Sequence, residues 1–208
     1  MSADGKPVFT IGHSTHSESY FLELLAMHGA DVVGDVRSVP YSRFNPQFNR
    51  ETLEEALKRK GLRYVFLGKE LGARSEDRSC YFRGRVQYAR LAQTALFQSG
   101  IDRVIDGAKR YRIALMCAEK EPLECHRALL VAGALASHGI PIFHIHADGH
   151  IESHEEAMIR LLRITGIPRQ DLFRSTSDLL AEALARQEEL VAYVDEKLST
   201  GAVREEAE

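Results

Sequence analysis

Short apolar runs alternate along the chain with longer segments in which apolar residues recur at helical spacing. Residues 8–11, 32–36, 63–67, 112–117 and 142–145 are compact apolar runs, and runs of that length read as buried strands. Between them, residues 17–28 put Phe21, Leu24, Leu25 and His28 on one face before Gly29, and residues 52–60 end at Gly61. Both patterns predict helices with glycine stops. Helices are also predicted over 85–98 and 101–109. Pro122 suits the first turn of another that runs to His138, just before Gly139. Ser153-His154-Glu155-Glu156 has the capping-box pattern and opens a helix that Gly166-Ile167-Pro168 ends. A last helix is predicted over 177–198, and the acidic tail 201–208 is expected to fray. Two segments keep neither period: 38–49, with Pro40 and Pro46, and the Arg-rich stretch 68–83.

Strands alternating with helices predict an α/β fold. The expected architecture is a mostly parallel sheet of about five strands with flanking helices and a helical C-terminal extension. Residues 1–150 form the expected α/β domain carrying the site, and 151–208 its helical extension. In such sheets a ligand site lies outside the carboxyl ends of the strands. That rule predicts His13, Asp35 and Arg37, Cys117 and Glu119, and His144 and His146 together at one edge.

Composition narrows the class. The chain has 208 residues, 44% hydrophobic and 27% charged, which suits one ordinary globular protein. No apolar run approaches the ~18–20 residues of a membrane span, and the start lacks a signal-sequence pattern. Three cysteines do not make a secreted disulfide framework. A cytoplasmic protein without a membrane partner is the expectation. The net charge is −3, yet residues 37–90 hold 13 lysines and arginines against 6 acids. A basic stretch in a mildly acidic protein suggests a face that meets an anion, although a solvated surface gives the same count.

The richest chemistry lies between Ile113 and Gly149. Cys117 should end a strand, and Cys125-His126-Arg127 should fall in the first two turns of the next helix. A thiol near a helix N-terminus and beside cationic groups becomes a better nucleophile or ligand. The same cysteines also suit a core, as small hydrophobes. Zinc ligands are plentiful, but seven residues separate Cys117 from Cys125, unlike a C-x-x-C knuckle or an H-E-x-x-H pair. No metal and no cofactor is expected on that spacing. For acid–base work His13 and Glu119 are the preferred groups, with Asp35 and Arg37 as an orienting pair. The two irregular loops interleave Arg37, Arg43 and Arg74 with Tyr41, Phe44 and Phe48. Such a mixture suits an anionic small molecule, a nucleotide or single-stranded nucleic acid. No glycine-rich phosphate fingerprint accompanies it.

Five ordered blocks carry a family resemblance: T-I-G-H-S at 10–14, D-V-R-S-V-P-Y-S-R-F-N-P-Q-F at 35–48, L-G-x-R at 71–74, L-M-C-A-E-K-E-P-x-x-C-H-R at 115–127, and H-I-H-A-D-G at 144–149. They resemble the bacterial family called domain of unknown function 488, and H-E-E-A with T-G-I-P is similar to its longer members. The resemblance implies a cytoplasmic α/β domain and no particular reaction. It implies His13, Asp35, Arg37, Arg43, Glu119, Cys125, His126, Arg127 and Asp148 as site residues. A weaker likeness in element order is to rhodanese domains, in which a loop cradles a reactive cysteine. Here Glu119 and Glu121 would put negative charge where an anion cradle belongs.

These readings converge on an enzyme acting on a nucleotide-like or nucleic-acid substrate. Cys125, His126 and His13 would form its reactive centre, assisted by Glu119 or Asp35. Arg37, Arg43, Arg74, Arg127, Tyr41, Phe48, His144 and Asp148 would bind the substrate. Two alternatives stay open: a rhodanese-like thiol enzyme using Cys117, and a nucleic-acid or nucleotide binding module without catalysis.

Overall fold

The computed structural model describes residues 5–199. Its centre is a six-stranded sheet. Strand β1 (Val8–Gly12) leads through α1 (Glu18–Met27) to β2 (Val32–Asp35), and α2 (Arg50–Arg59) leads to β3 (Arg63–Phe66). The short α3 (Gly68–Leu71) is followed by a two-stranded hairpin, β4 (Tyr81–Phe82) and β5 (Arg85–Val86), and by α4 (Tyr88–Ala92) and α5 (Ala95–Ala108). Then come β6 (Ile113–Cys117), α6 (Gly133–Ser137), β7 (Ile142–Ile145), β8 (Ile151–Ser153), α7 (His154–Ile164), α8 (Thr176–Val191) and α9 (Glu196–Ser199). The sheet order is β3-β2-β6-β1-β7-β8. Every pairing is parallel except β7 with β8. The expected α/β architecture is therefore present, with one antiparallel edge strand more than its five runs predict.

Alternation along the strands builds two cores. Val8, Val32, Ile113, Leu115 and Cys117 face one side, with Phe97, Ile101, Val131 and Leu161 from the helices covering them. Phe9, Ile11, Val33, Ala114 and Met116 face the other, against Phe21, Leu24 and Leu25 of α1 and Leu53 and Leu57 of α2. Burial on both faces is what makes parallel strands read as continuous apolar runs. Among the described residues no helix is long and apolar enough to cross a membrane.

Three predicted helices come out differently. Residues 85–98 do not form one helix: Arg83 and Gly84 both have positive φ, 48° and 77°, and turn the chain into the β4–β5 hairpin. The Thr94 side chain then accepts the Phe97 amide at 3.2 Å and caps a fresh helix, so 101–109 is its continuation. The helix expected from Pro122 is interrupted, because Pro122–Glu124 is a single 3₁₀ turn and Cys125 is extended (φ −139°, ψ 139°). The helix expected to reach Leu198 stops at Val191. Beyond it the chain runs beside β5, where the Val86 amide donates to the Tyr193 carbonyl at 3.0 Å. The capping box at Ser153 and Glu156 forms as predicted. The predicted fraying tail, 201–208, lies outside the described residues.

Candidate functional site

Three adjacent strands, β2, β6 and β1, end side by side and deliver one cluster. The chain keeps the β1–β6 pairing beyond the strand ends: His13 donates its amide to the Cys117 carbonyl at 2.9 Å, and Ser14 to that of Ala118 at 3.0 Å. Ser14 holds φ at 49°, a left-handed conformation uncommon for a residue with a side chain and often found at functional sites. The loop after β6 then crosses directly over Gly12, where any Cβ would collide with the Glu119 carbonyl oxygen. Arg127, fully buried, locks that loop from beneath, with Nη1 donating to the Glu119 carbonyl at 2.8 Å and Nη2 to that of Lys120 at 3.2 Å.

Cys125 ends up at a helix cap. Its carbonyl accepts the Ala128 and Leu129 amides, and its Sγ accepts the Arg127 amide at 3.4 Å. The thiol thus occupies the place that a serine or aspartate oxygen takes at an ordinary N-cap. A π-helical turn, Arg127–Ala132, follows and continues into α6. Cys125 Sγ also lies 2.9 Å from Glu119 Oε2 and 3.8 Å from His126 Nδ1. Cys117 Sγ is 3.9 Å from the same Nδ1. The other ring nitrogen of His126, Nε2, lies 3.1 Å from the Val36 carbonyl. A carbonyl only accepts, so Nε2 carries the proton and Nδ1 turns its lone pair to the sulfurs.

The electrostatics of this centre are coupled. The hydrogen bond with Cys125, then burial, push the Cys117 thiol well up. Burial works against a charge on Cys125, but the Cys117 hydrogen bond, Arg127 and His126 overcome it and hold that thiol well down. Burial and the neighbouring Cys125 raise Glu119. His126 is raised as well, against burial, by Cys125.

A second cluster adjoins the first. Asp35, with no exposed surface, takes a two-pronged contact from Arg37, Nε to Oδ1 at 2.9 Å and Nη2 to Oδ2 at 2.7 Å. Tyr64 donates its hydroxyl to Asp35 at 2.8 Å. Arg37 also reaches the Phe48 carbonyl at 2.8 Å and His13 Nε2 at 3.2 Å. His13 stacks on Phe48, ring centres 4.3 Å apart. Burial foremost, with Arg37, pushes His13 down to about 4, so its imidazole is neutral at ordinary pH.

Both clusters open on one cleft of about 610 Å³. Cys117, Glu119, Cys125, His126, His13 and Arg37 line its inner part. Tyr41, Ser42 and Asn45 from the 38–49 loop form one wall. Tyr88, Val191 and Tyr193 form another, and Arg74 lies over the Tyr193 ring at 4.6 Å. The C-terminal helical region is thus part of the site wall. The buried side-chain amide of Gln187 ties it down, donating to the Leu123 carbonyl at 2.8 Å.

Other expected residues lie elsewhere. His144 is buried behind β1 in a chain from Thr10 Oγ1 (2.7 Å) through its own ring to His154 Nδ1 (3.1 Å). His146 pairs with Glu152 at 3.0 Å. Strand β7, which carries His144 and ends just before His146, lies on the far side of β1 from β6, so neither histidine reaches the cleft. Asp148 is exposed in the turn after β7, bonded to His150 at 2.7 Å. Arg43 lies over the exposed Phe44 ring and outside the cleft. Phe48 and Arg127 have no exposed surface and do not line the cleft; one packs against His13 and the other holds the loop after β6. Glu121 swings away to Arg160 at 2.7 Å. Tyr88 and Tyr193 were not among the expected site residues; they sit in a helix and a C-terminal strand-like run whose patterns carry no site signal.

The Domain of unknown function DUF488 family model matches residues 18–133, more than half of the chain. The match takes in Asp35, Arg37, Cys117, Glu119, Cys125 and His126, while His13 and the C-terminal helices lie outside it. No curated protein and no solved structure matches the chain.

Proposed function

The chain belongs to the DUF488 family, and we propose that its cleft is the active site of an enzyme acting on a nucleotide-like or nucleic-acid substrate, with Cys125, His126 and Glu119 as the reactive centre. The observation that carries the reading is the contact of Cys125 Sγ with the Glu119 carboxylate at 2.9 Å on the floor of the cleft. A buried thiol in contact with a carboxyl that lines the cleft serves no packing purpose, and such perturbed pairs mark sites where protons move. The walls favour the substrate class. Arg74 against Tyr193, with the exposed Tyr41 opposite, offers a cation for phosphate and flat rings for a base. His13 orients Arg37 in this reading, and Asp35 holds Arg37 in place. Three free cysteines suit a reducing compartment and support a cytoplasmic location.

The test screens mononucleotides and short single-stranded oligonucleotides for binding and turnover. Cys125→Ala and His126→Ala are expected to keep binding and lose turnover, while Arg74→Ala loses affinity. Unchanged turnover in Cys125→Ala overturns the reading. So does salt-dependent oligonucleotide binding with no turnover at all, which makes the protein a binding module. A sulfur adduct at Cys117 after thiosulfate, located by mass spectrometry, would replace it with rhodanese-like chemistry.

A further inference from the structure

Cys117, Cys125 and His126 bring three donor atoms to one point. The two sulfurs and Nδ1 lie within 4.8 Å of one another, and Nδ1 stands 3.9 and 3.8 Å from the sulfurs. Tetrahedral zinc, with metal–sulfur and metal–nitrogen bonds of about 2.3 and 2.0 Å, spaces sulfur from nitrogen by about 3.5 Å and sulfur from sulfur by about 3.8 Å. The nitrogen-to-sulfur separations are already within a few tenths of an ångström of that shape.

We propose that these three side chains hold a divalent cation of the zinc type, with the fourth coordination position turned to the cleft. Binding of the cation follows from the ligand geometry alone. Its catalytic use rests on the enzymatic reading above.

Four further features support the site. Two thiolates and an imidazole form the ligand set that favours zinc over magnesium or calcium. The Nε2–H of His126 is fixed on the Val36 carbonyl at 3.1 Å, which aims the free lone pair at the sulfurs. Metal-binding histidines are held by an outer hydrogen bond of this kind. The Arg127 amide donates to Cys125 Sγ, as backbone groups do toward metal-bound thiolates. Charge also balances: two thiolates and the Glu119 carboxylate face one divalent cation and the buried Arg127.

The fourth position decides what the site is for. A closed set of four protein ligands is structural, whereas three with an open place is the catalytic arrangement. All three ligands and Glu119 line the cleft, so an ion can enter and a water can complete its shell. Glu119 then stands beside that water as a hydrogen-bond acceptor. The seven-residue gap between the cysteines hid this site, because a strand end and a helix cap join the ligands, not a knuckle.

The full-length protein, purified under reducing conditions and freed of metal, is titrated with cobalt(II). Binding of one cobalt per chain is expected, with a thiolate-to-cobalt charge-transfer band and the visible absorption of a tetrahedral ion, both displaced by zinc. Cys117→Ser and Cys125→Ser should each weaken the band and lower affinity by at least about 100-fold, since even outer-shell losses cost up to that much. Glu119→Gln and Cys80→Ser should keep the spectrum. A folded wild-type protein with no charge-transfer band at saturating cobalt overturns the site, as does a band that survives both cysteine substitutions together. The earlier reading fails separately: an intact band with no nucleotide turnover refutes the enzyme and keeps the cation. Full turnover by the metal-free protein keeps the enzyme and refutes the cation's catalytic use, while its binding still stands or falls with the band.

Discussion

Arg37 Nη1 donates to His13 Nε2 across 3.2 Å, and this contact joins the first strand end to the second. Since a guanidinium only donates, His13 must accept at Nε2 and carry its proton on Nδ1, which donates to the Ser14 carbonyl at 2.8 Å. Both ring nitrogens are therefore occupied. His13 orients Arg37, and Asp35 neutralises it.

Asp35→Asn tests that arrangement. The substitution leaves the Arg37 charge buried without its counter-ion, and breaking a buried pair from one side costs about 3–5 kcal/mol. Urea denaturation at neutral pH should show a loss of that size. A loss below about 1 kcal/mol would mean that Arg37 rearranges to water, and the orienting role would be wrong.

Acid should weaken the fold well before the carboxylates titrate. Burial holds His13, His144 and His154 at about 4, 3 and 4, below their ordinary 6.5. In that interval the unfolded chain binds protons that the folded chain refuses, so stability is complete above pH 6.5 and falls as pH drops toward 4. His126 is shifted the other way, raised by Cys125 despite burial, and so adds nothing to this loss in acid. Denaturation midpoints at pH 7, 6 and 5 should decline steadily, as these rings take up protons on unfolding. A flat series would show that these rings are not buried in the neutral form.

Gly12→Ala addresses the crossing of β1 by the loop after β6. Its methyl group would meet the Glu119 carbonyl oxygen, the same oxygen that Arg127 holds. Overpacking of this kind costs about 1–3 kcal/mol, and the displaced loop should also spoil the Cys125–Glu119 contact. Thermal denaturation and thiol alkylation rates measure the two effects. A variant with wild-type stability and wild-type Cys125 reactivity would show that the loop is not held there.

Much of this site was legible in the sequence because strand ends are marked by where apolar runs stop. His13, Asp35, Arg37, Cys117 and Glu119 follow directly from that reading and from the rule for parallel sheets. The failures have local physical causes. His144 and His146 also stand near a strand end, but β7 pairs with β1 on the side away from β6, and strand order is not written in the periodicity. Cys125 was expected inside a helix, whereas the Pro122 turn finishes one residue early and leaves the thiol as a cap. Seven residues separate Cys117 from Cys125, and a strand–turn–helix junction brings them and His126 together at a spacing no short motif has.

Gln187 carries the last prediction, because it joins the C-terminal helix to the turn that precedes Cys125. Its amide group donates to the Leu123 carbonyl at 2.8 Å and is itself almost fully buried. Gln187→Leu leaves that carbonyl unsatisfied, at a cost of about 1–3 kcal/mol. Gln187→Glu keeps the shape and sets a carboxylate against the carbonyl oxygen, so it should cost more at pH 7 than Gln187→Leu and recover in acid as the carboxyl gains a proton. The ranking is read from urea midpoints at pH 7 and 5, each against wild type at the same pH. If Gln187→Glu is the more stable of the two at pH 7, the hydrogen bond does not anchor α8 to the site. The helical region would then be an appendage, not a wall.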